Sequence, residues 1–139
     1  MFLGTHTPRL DDKGRLILPA KFREQLAGGI VITKGQERCL YVFPIADFEA
    51  RAAQRPAPVT RAERDHARTF FASASAETPD RTGRVPVPAH LREYAGLERD
   101  CMVIGANDHL EIWDAPTWAA HEASTDQAYS ESGELPLLA

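Results

Sequence analysis

The segment 11–23 reads Asp11-Asp12-Lys13-Gly14-Arg15-Leu16-Ile17-Leu18-Pro19-Ala20-Lys21-Phe22-Arg23. After an offset of 69 residues the chain returns to the same pattern, Asp80-Arg81-Thr82-Gly83-Arg84-Val85-Pro86-Val87-Pro88-Ala89-His90-Leu91-Arg92. The two segments share their first Asp and their Gly, Arg, Pro, Ala and final Arg, a match that chance rarely produces. Short apolar stretches and one aromatic residue downstream recur as well. The chain of 139 residues therefore carries a duplicated unit.

Each copy predicts the same succession of short elements. The Asp-x-x-Gly sequences at 11–14 and 80–83 are typical of turns, because Asp accepts hydrogen bonds from following amides and Gly tolerates positive φ. A brief strand follows each turn, and Pro-Ala then opens a helix that runs to about Leu26 or Tyr94. A hairpin closes each copy. Its strands are expected at 30–34 and 40–43 in the first copy, and at 101–105 and 110–113 in the second.

The remaining sequence predicts how the two copies are connected and bounded. The first repeat spans 1–55 and ends in a helix, Ile45 to Gln54. The linker 56–70 begins with a Pro-rich hinge and continues as a helix from Arg61 to about Phe70, with Thr60 as its cap. The second repeat spans 71–122, and its start, 71–78, alternates like a strand. The acidic tail, 123–139, is expected to be disordered because it is poor in large apolar residues.

Charge and composition restrict the kind of partner. The net charge is −4, but residues 1–69 carry +4 and residues 70–139 carry −8. A polyanion would meet the basic early segment, where Lys and Arg outnumber Asp and Glu. Two cysteines without metal-ligand spacing, Cys39 and Cys101, predict buried small side chains in a reducing compartment. No leader or membrane segment is indicated, so the expected location is the cytoplasm.

The duplicated pattern resembles the swapped-hairpin AbrB fold as it occurs twice in the MraZ family. The most specific elements are the paired Asp-x-x-x-Arg motifs, 11–15 and 80–84, each followed by aliphatic residues and Pro-Ala. Leu-Glu-Ile-Trp-Asp at 110–114 strengthens the match, which covers residues 1 to about 122. The resemblance implies an α+β fold, mainly β. Two tandem swapped-hairpin AbrB-like units would pack as one pseudo-symmetric body, with short helices between and after them.

The resemblance also implies a function. Proteins of this kind are sequence-specific transcriptional regulators that bind short direct repeats in the promoter of their own division and cell-wall operon, here interpreted as a repressor. They assemble into homo-oligomeric rings whose Asp-x-x-x-Arg loops line one face. A ring of tethered loops makes physical sense, because each loop alone binds weakly and several together gain effective concentration. The expected partners are double-stranded promoter DNA and further copies of the chain, and the expected location is the nucleoid.

The candidate DNA-binding residues follow from the two loops. Arg15 is suited to a bidentate pair with guanine or a phosphate, and Lys13 to phosphate. Asp11 either aims Arg15 through an ion pair or stabilises the turn through backbone amides, and the turn role is favoured. The full candidate set is Arg9, Asp11, Lys13, Gly14, Arg15, Lys21, Arg81 and Arg84.

The second loop departs from the first, and other functions stay open. Thr82 replaces Lys13, and Pro86 replaces Ile17 and predicts an edge strand or a bulge, so direct base contact by this loop is undecided. No catalytic motif, metal-ligand spacing, cofactor signature or small-molecule site is recognised, which indicates a protein that is not an enzyme. The first alternative is an antitoxin-type interaction module acting through a protein partner. The second is a structural ring without a nucleic-acid role.

Overall fold

The computed structural model describes residues 1–133, and within them short strands alternate with short helices. The strands are β1 (Thr5–His6), β2 (Arg15–Ile17), β3 (Ile30–Lys34), β4 (Leu40–Pro44), β5 (Ser75–Glu77), β6 (Arg84–Pro86), β7 (Cys101–Gly105) and β8 (Leu110–Asp114). The helices are α1 (Arg23–Leu26), α2 (Ile45–Gln54), α3 (Arg61–Ser73), α4 (Ala89–Ala95) and α5 (Ala115–Glu131), with 3-10 turns at Ala20–Phe22 and Gln36–Arg38. The protein is thus of mixed α and β structure with antiparallel strand pairing.

The strand order shows how the two copies are joined. Six strands form one sheet in the order β1-β7-β8-β4-β3-β5, and β2 and β6 form a separate two-stranded ribbon. Each copy therefore gives its first strand to the other copy's hairpin: β1 pairs with β7, and β5 pairs with β3. The two hairpins meet at β4 and β8, where Tyr41 lies opposite Glu111. This pattern has the pseudo-two-fold relationship expected of a duplicated unit that packs as one body.

The core lies between the ribbon and the inner face of the large sheet. Because side chains alternate along a strand, β2 and β6 turn Leu16 and Val85 inward, and both are fully buried. Ile32 and Ile112 from the two hairpins are buried in the same cluster. Full burial of a side chain such as Leu16 stabilises the fold by about 1.5–3 kcal/mol. Both copies supply this core, so they are held together as one packed unit.

Several elements agree with the sequence predictions. Both hairpins form, each one residue longer at its second strand than expected, and α2 has the predicted bounds. Thr60 caps α3, because its Oγ1 accepts a hydrogen bond of 3.1 Å from the Glu63 amide. Both cysteines are buried, and burial raises the pKa of the Cys101 thiol to about 11.

Two expectations about the ends of elements were wrong. The predicted strand 71–78 shortens to Ser75–Glu77, because α3 continues to Ser73. There the Thr33 hydroxyl donates to the Phe70 carbonyl at 2.6 Å and lies 3.0 Å from the Ser73 hydroxyl, which ties the end of α3 to β3.

The predicted disordered tail is also partly wrong, since α5 includes residues 123–131. Helix propensity accounts for the difference: alanines at 119, 120, 123 and 128 are strong helix formers although they bury little. The Asp114 carboxylate caps the start of the helix by accepting from the Thr117 amide at 3.2 Å. The rest of the predicted tail, 134–139, lies outside the described residues.

Candidate nucleic-acid interface

In the first loop, the Asp11 carboxylate holds the Arg15 side chain in place. Asp11 Oδ1 accepts hydrogen bonds of 2.9 Å from the Lys13 and Arg15 amides, and Asp11 Oδ2 accepts one of 2.8 Å from Arg15 Nε. The two roles left open for Asp11, closing the turn and aiming Arg15, are therefore both present. The backbone hydrogen bond from Arg15 is the largest influence on this carboxyl, and it lowers the pKa of Asp11 below its ordinary value.

The second loop repeats this geometry. Asp80 Oδ1 accepts from the Thr82 and Arg84 amides at 2.9 Å, and Asp80 Oδ2 accepts from Arg84 Nε at 2.9 Å. The Thr82 hydroxyl adds a further hydrogen bond of 2.9 Å to Asp80 Oδ1. The Arg84 backbone amide is the main cause that lowers the pKa of Asp80 well below its ordinary range. The threonine at the place of Lys13 thus adds a hydrogen bond to the second turn, and Arg81 at the place of Asp12 gives both loops two cations.

The ribbon brings the two arginines to one outward face. Arg15 lies opposite Pro86 and Ile17 lies opposite Arg84, whereas the pair between them, Leu16 and Val85, points into the core. Ile17 is 48% exposed although it is aliphatic. Pro86 occupies an edge strand, as the sequence predicted, because β6 has β2 as its one neighbour in the ribbon. The outward face therefore carries two cations around a small apolar centre.

Each guanidinium on this face is held in one orientation by its Nε, while its terminal amino groups stay available as hydrogen-bond donors. Arg15 and Arg84 use Nε for the aspartate of their own loop, at 2.8 and 2.9 Å. Within residues 1–133, their terminal Nη groups make no hydrogen bond or ion pair. The side chains are 31% and 38% exposed, so they are partly held by the surface and partly open to solvent. A positioned guanidinium with two free amino groups can bind a guanine edge or a phosphate.

Each loop is also covered by an arginine of the other copy, a contact that the sequence did not predict. Gly14 is buried with φ of +72°, and a Cβ there would overlap the Arg92 guanidinium. Gly83 has φ of +83°, and a Cβ there would lie 2.6 Å from Arg23 Nε. Arg92 Nη1 donates to the Val87 carbonyl at 2.6 Å, which fixes its position. Arg23 and Arg92 occupy equivalent positions in the two copies, which could have marked them in the sequence as functional. Only the strand pairing shows that each of them covers the loop of the other copy.

The other candidate residues take different places. Lys13 is exposed in the first turn and Arg81 in the second, next to the arginines of the ribbon. Arg9 forms an exposed ion pair of 3.0 Å with Asp100. Lys21 lies with its Nζ 5.1 Å from the centre of the Phe22 ring. The structure therefore brings Asp11, Lys13, Gly14 and Arg15 together in one loop and Arg81 and Arg84 in the other, while Arg9 and Lys21 have contacts elsewhere.

Two further kinds of site were searched for in the part of the chain that the structure describes. Over residues 1–133, no group of three His, Cys, Asp or Glu side chains is placed to hold a metal ion. Among the same residues, each helix is too short or too polar to cross a lipid bilayer.

The fold and the loops together define a class of protein. It is a duplicated protein whose two copies exchange their first strands and present two arginine loops on one ribbon. Its structure is mixed α and β, so the expectation of a mainly β fold was wrong: the helices α2, α3 and α5 are longer than any strand. The ribbon's outward face is polar at its two arginines and apolar at Ile17 between them.

Comparison with known proteins gives the family. The model of the MraZ protein family, described as antitoxin-like, matches the chain twice, over residues 1–68 and 70–134. Transcriptional regulator MraZ of Thermobifida fusca is 67% identical over 140 residues, which cover 99% of this chain and 97% of that protein. The proteins of the same name from Frankia alni and Micrococcus luteus are 61% and 57% identical, with coverage of 99% and 96% of this chain and 97% and 95% of their own. The chain belongs to the MraZ family.

Proposed function

We propose that the protein is a sequence-specific, DNA-binding transcriptional regulator. The observation that carries the proposal is the pair of arginines, Arg15 and Arg84, aimed by their own aspartates on one outward face of the ribbon. Two-stranded ribbons are among the elements that fit the major groove of DNA, where arginine recognises guanine. The relatives that are called transcriptional regulators support this function.

The two loops are expected to contribute unequally. The first loop adds Lys13 to Arg15, while the second offers Arg81 and Arg84 in the more acidic half of the chain. Asp11 and Gly14 hold the first loop in shape, and Arg9 and Lys21 remain candidates for phosphate contacts at its margins. The net charge of −4 is compatible with DNA binding if the phosphates meet the ribbon and not the acidic second half.

The proposed target is a set of short direct repeats in the promoter of the protein's own operon, a division and cell-wall gene cluster, as the resemblance to the family implies. A homo-oligomeric ring would present one ribbon after another in step with the repeats. The protein would then act at the nucleoid, in the cytoplasm, as a repressor of its own transcription. One ribbon with three phosphate contacts would bind weakly and lose about 40-fold in affinity between 50 and 200 mM salt, which makes several tethered ribbons advantageous.

Fluorescence anisotropy with DNA from upstream of the gene tests the proposal. Native repeats and shuffled repeats of the same composition are compared at 50 and 200 mM salt. We expect preference for the native repeats, weaker binding at higher salt, and affinity that rises steeply from one repeat to several. Equal binding to both DNAs at both salt concentrations would refute sequence-specific regulation.

A second candidate function is an antitoxin-type module that acts through a protein partner. The family description as antitoxin-like and the exposed helix α5, in which no residue is buried, favour this alternative. Purification of the full chain from its native host, followed by identification of a stoichiometric small protein, tests it. A chain that binds its repeats with no such partner would contradict this second function.

A further inference from the structure

Arg23 and Arg92 hold equivalent positions in the two copies, but they lie against their glycines in different ways. Arg92 turns its terminal group toward Gly14, since its Nη1 is the atom nearest to the position that a Cβ there would take. Arg23 turns its inner nitrogen toward Gly83: Nε is nearest at 2.6 Å, and Cδ and Cζ follow at 3.3 Å. The terminal amino groups of Arg23 therefore extend past the glycine that this side chain covers.

The two arginines also differ in their partners. Arg92 is half-buried, and its Nη1 donates a hydrogen bond of 2.6 Å to the Val87 carbonyl. Arg23 is exposed, and among residues 1–133 its guanidinium makes no hydrogen bond and no ion pair. Arg92 thus stabilises the first loop from within the fold, whereas Arg23 keeps its donors available for an anion from outside.

The backbone around Arg23 is fixed close to the second loop. The Leu18 amide donates to the Gly83 carbonyl at 2.9 Å, which attaches the end of β2 to that loop. The chain then turns through Ala20–Phe22, and the buried Phe22 ring, 3% exposed, anchors the turn in the core directly before Arg23. Because the backbone is already held at both points, binding of a ligand to Arg23 would order one side chain and no loop.

Arg23 also changes the charge of the second loop. From Asp80 to Arg84 the loop holds two arginines and one carboxylate. The Asp80 carboxylate already accepts hydrogen bonds from the backbone amide and the Nε of Arg84. With Arg23 the loop has three guanidinium groups beside one occupied carboxylate, although it belongs to the acidic half of the chain. Such a cluster is suited to the oxygens of phosphate groups.

We propose that Arg23 binds a phosphate of the DNA backbone next to the second loop, so that both copies build this half of the DNA-binding face. Gly83 directly precedes Arg84, so a phosphate held by Arg23 would lie at the edge of the groove that Arg84 faces. The basic first copy in this way supplies a cation to the loop of the acidic second copy. The inference rests on the proposed function and deepens it by assigning a contact to a residue outside both Asp-x-x-x-Arg motifs.

The salt dependence of DNA binding by the full chain tests this contact. Between 50 and 200 mM salt, the unaltered chain should lose about 3.5-fold more affinity per bound copy than Arg23→Ala, because one phosphate contact adds about 0.9 to the slope of log K against log salt. At 50 mM salt, Arg23→Ala should bind the native repeats roughly 10-fold more weakly. Its preference for native over shuffled repeats should equal that of the unaltered chain, since phosphates carry no base sequence.

Two further substitutions at the same position separate charge from shape. Arg23→Gln keeps hydrogen-bond donors without the charge and should behave like Arg23→Ala. Arg23→Lys should restore the salt slope of the unaltered chain, because an ammonium also binds phosphate. Arg61→Ala removes a charge from an exposed position on α3 and should keep the slope of the unaltered chain. Circular dichroism melts establish that each variant is folded before its affinity is compared.

A double-mutant cycle assigns the contact to the second loop. Arg23→Ala should cost less affinity in the Arg84→Ala background than alone, and as much in the Arg15→Ala background as alone. A salt slope that neither Arg23→Ala nor Arg23→Gln lowers would overturn the contact. Coupling of Arg23 to Arg15 in place of Arg84, or an Arg23→Lys variant with the slope of Arg23→Ala, would do the same.

The two DNAs separate this inference from the proposed function. If the unaltered chain binds native and shuffled repeats equally and Arg23→Ala lowers the salt slope on both, the phosphate contact stands and sequence-specific regulation fails. If the unaltered chain prefers the native repeats and Arg23→Ala has the same affinity and slope, the regulator stands and the phosphate contact fails.

Discussion

Replacing Gly14 by alanine tests how the two copies build one loop. Gly14 has φ of +72°, and an alanine in this left-handed region costs about 1–2 kcal/mol. The added Cβ would also displace the Arg92 guanidinium, whose hydrogen bond to the Val87 carbonyl contributes about 1–2 kcal/mol. The sum is a loss of about 2–4 kcal/mol in the free energy of unfolding, which lowers the melting temperature by about 6–16 °C for a chain of this length.

Two other glycines separate these contributions. Gly96 has φ of +62°, and no atom lies within 4 Å of the position that an added Cβ would take, so Gly96→Ala should show the backbone cost alone. Gly28 has neither constraint, and Gly28→Ala should change stability by less than about 1 kcal/mol. Urea unfolding of the three variants gives the comparison. In the Gly14→Ala background, Arg92→Ala should cost less than in the unaltered chain, because Arg92 is already displaced. A Gly14→Ala variant no less stable than Gly96→Ala would refute the cross-copy contact.

Two further predictions concern the ribbon and the hairpin. Leu16→Ala should lower the free energy of unfolding by about 2–5 kcal/mol in urea titrations, because Leu16 is buried. Ile17→Ala should leave the free energy of unfolding nearly unchanged and weaken DNA binding, because Ile17 lies on the outward face. Equal losses of stability in the two variants would contradict the alternation of side chains along the ribbon. Burial alone would lower the pKa of His109, but hydrogen bonds to Glu111 and Asp108 raise it above 6.5 overall. The stabilisation from protonated His109 is therefore complete below about pH 6.5 and is lost as pH rises through the folded-state pKa, so urea midpoints should fall from pH 6 to pH 8.5 more in the unaltered chain than in His109→Gln. Equal falls of the urea midpoint in the unaltered chain and in His109→Gln would contradict a raised pKa of His109 in the folded state.

Local features of the sequence predicted most of the elements. The Asp-x-x-Gly turns, the Pro-Ala helices, the Thr60 cap and the hairpins each depend on residues close in the chain, so their chemistry could be read directly. The repeat offset then indicated that both copies share one fold. For Asp11 the sequence favoured the turn role and left the ion pair with Arg15 as an alternative, and the structure contains both contacts.

Features that depend on contacts between residues far apart in the chain could not be predicted from local sequence patterns. The exchange of β1 and β5 between the copies depends on strand pairings that join residues up to about 100 positions apart, and periodicity within a strand does not specify its partner. The resemblance implied swapped hairpins but named no strand pairs, so the cover of Gly14 by Arg92, which follows from those pairs, was not predicted. The end of α3 depends on Thr33, far away in β3, which is why 71–73 was assigned to a strand. The helix at 123–131 buries no residue, so no apolar pattern marks it in the sequence, and helix propensity is the one local signal for it.

Anisotropy titration of Arg15→Ala on the upstream repeats tests the central claim most directly. The variant Arg61→Ala removes the same charge from an exposed position on α3 and serves as the control, while Arg84→Ala compares the second loop with the first. We expect Arg15→Ala to weaken binding to native repeats by about 5- to 150-fold per contact, to abolish the preference over shuffled repeats, and to leave the melting temperature nearly unchanged. Binding and repeat preference equal to those of Arg61→Ala would contradict the assignment of Arg15 as a base-reading residue.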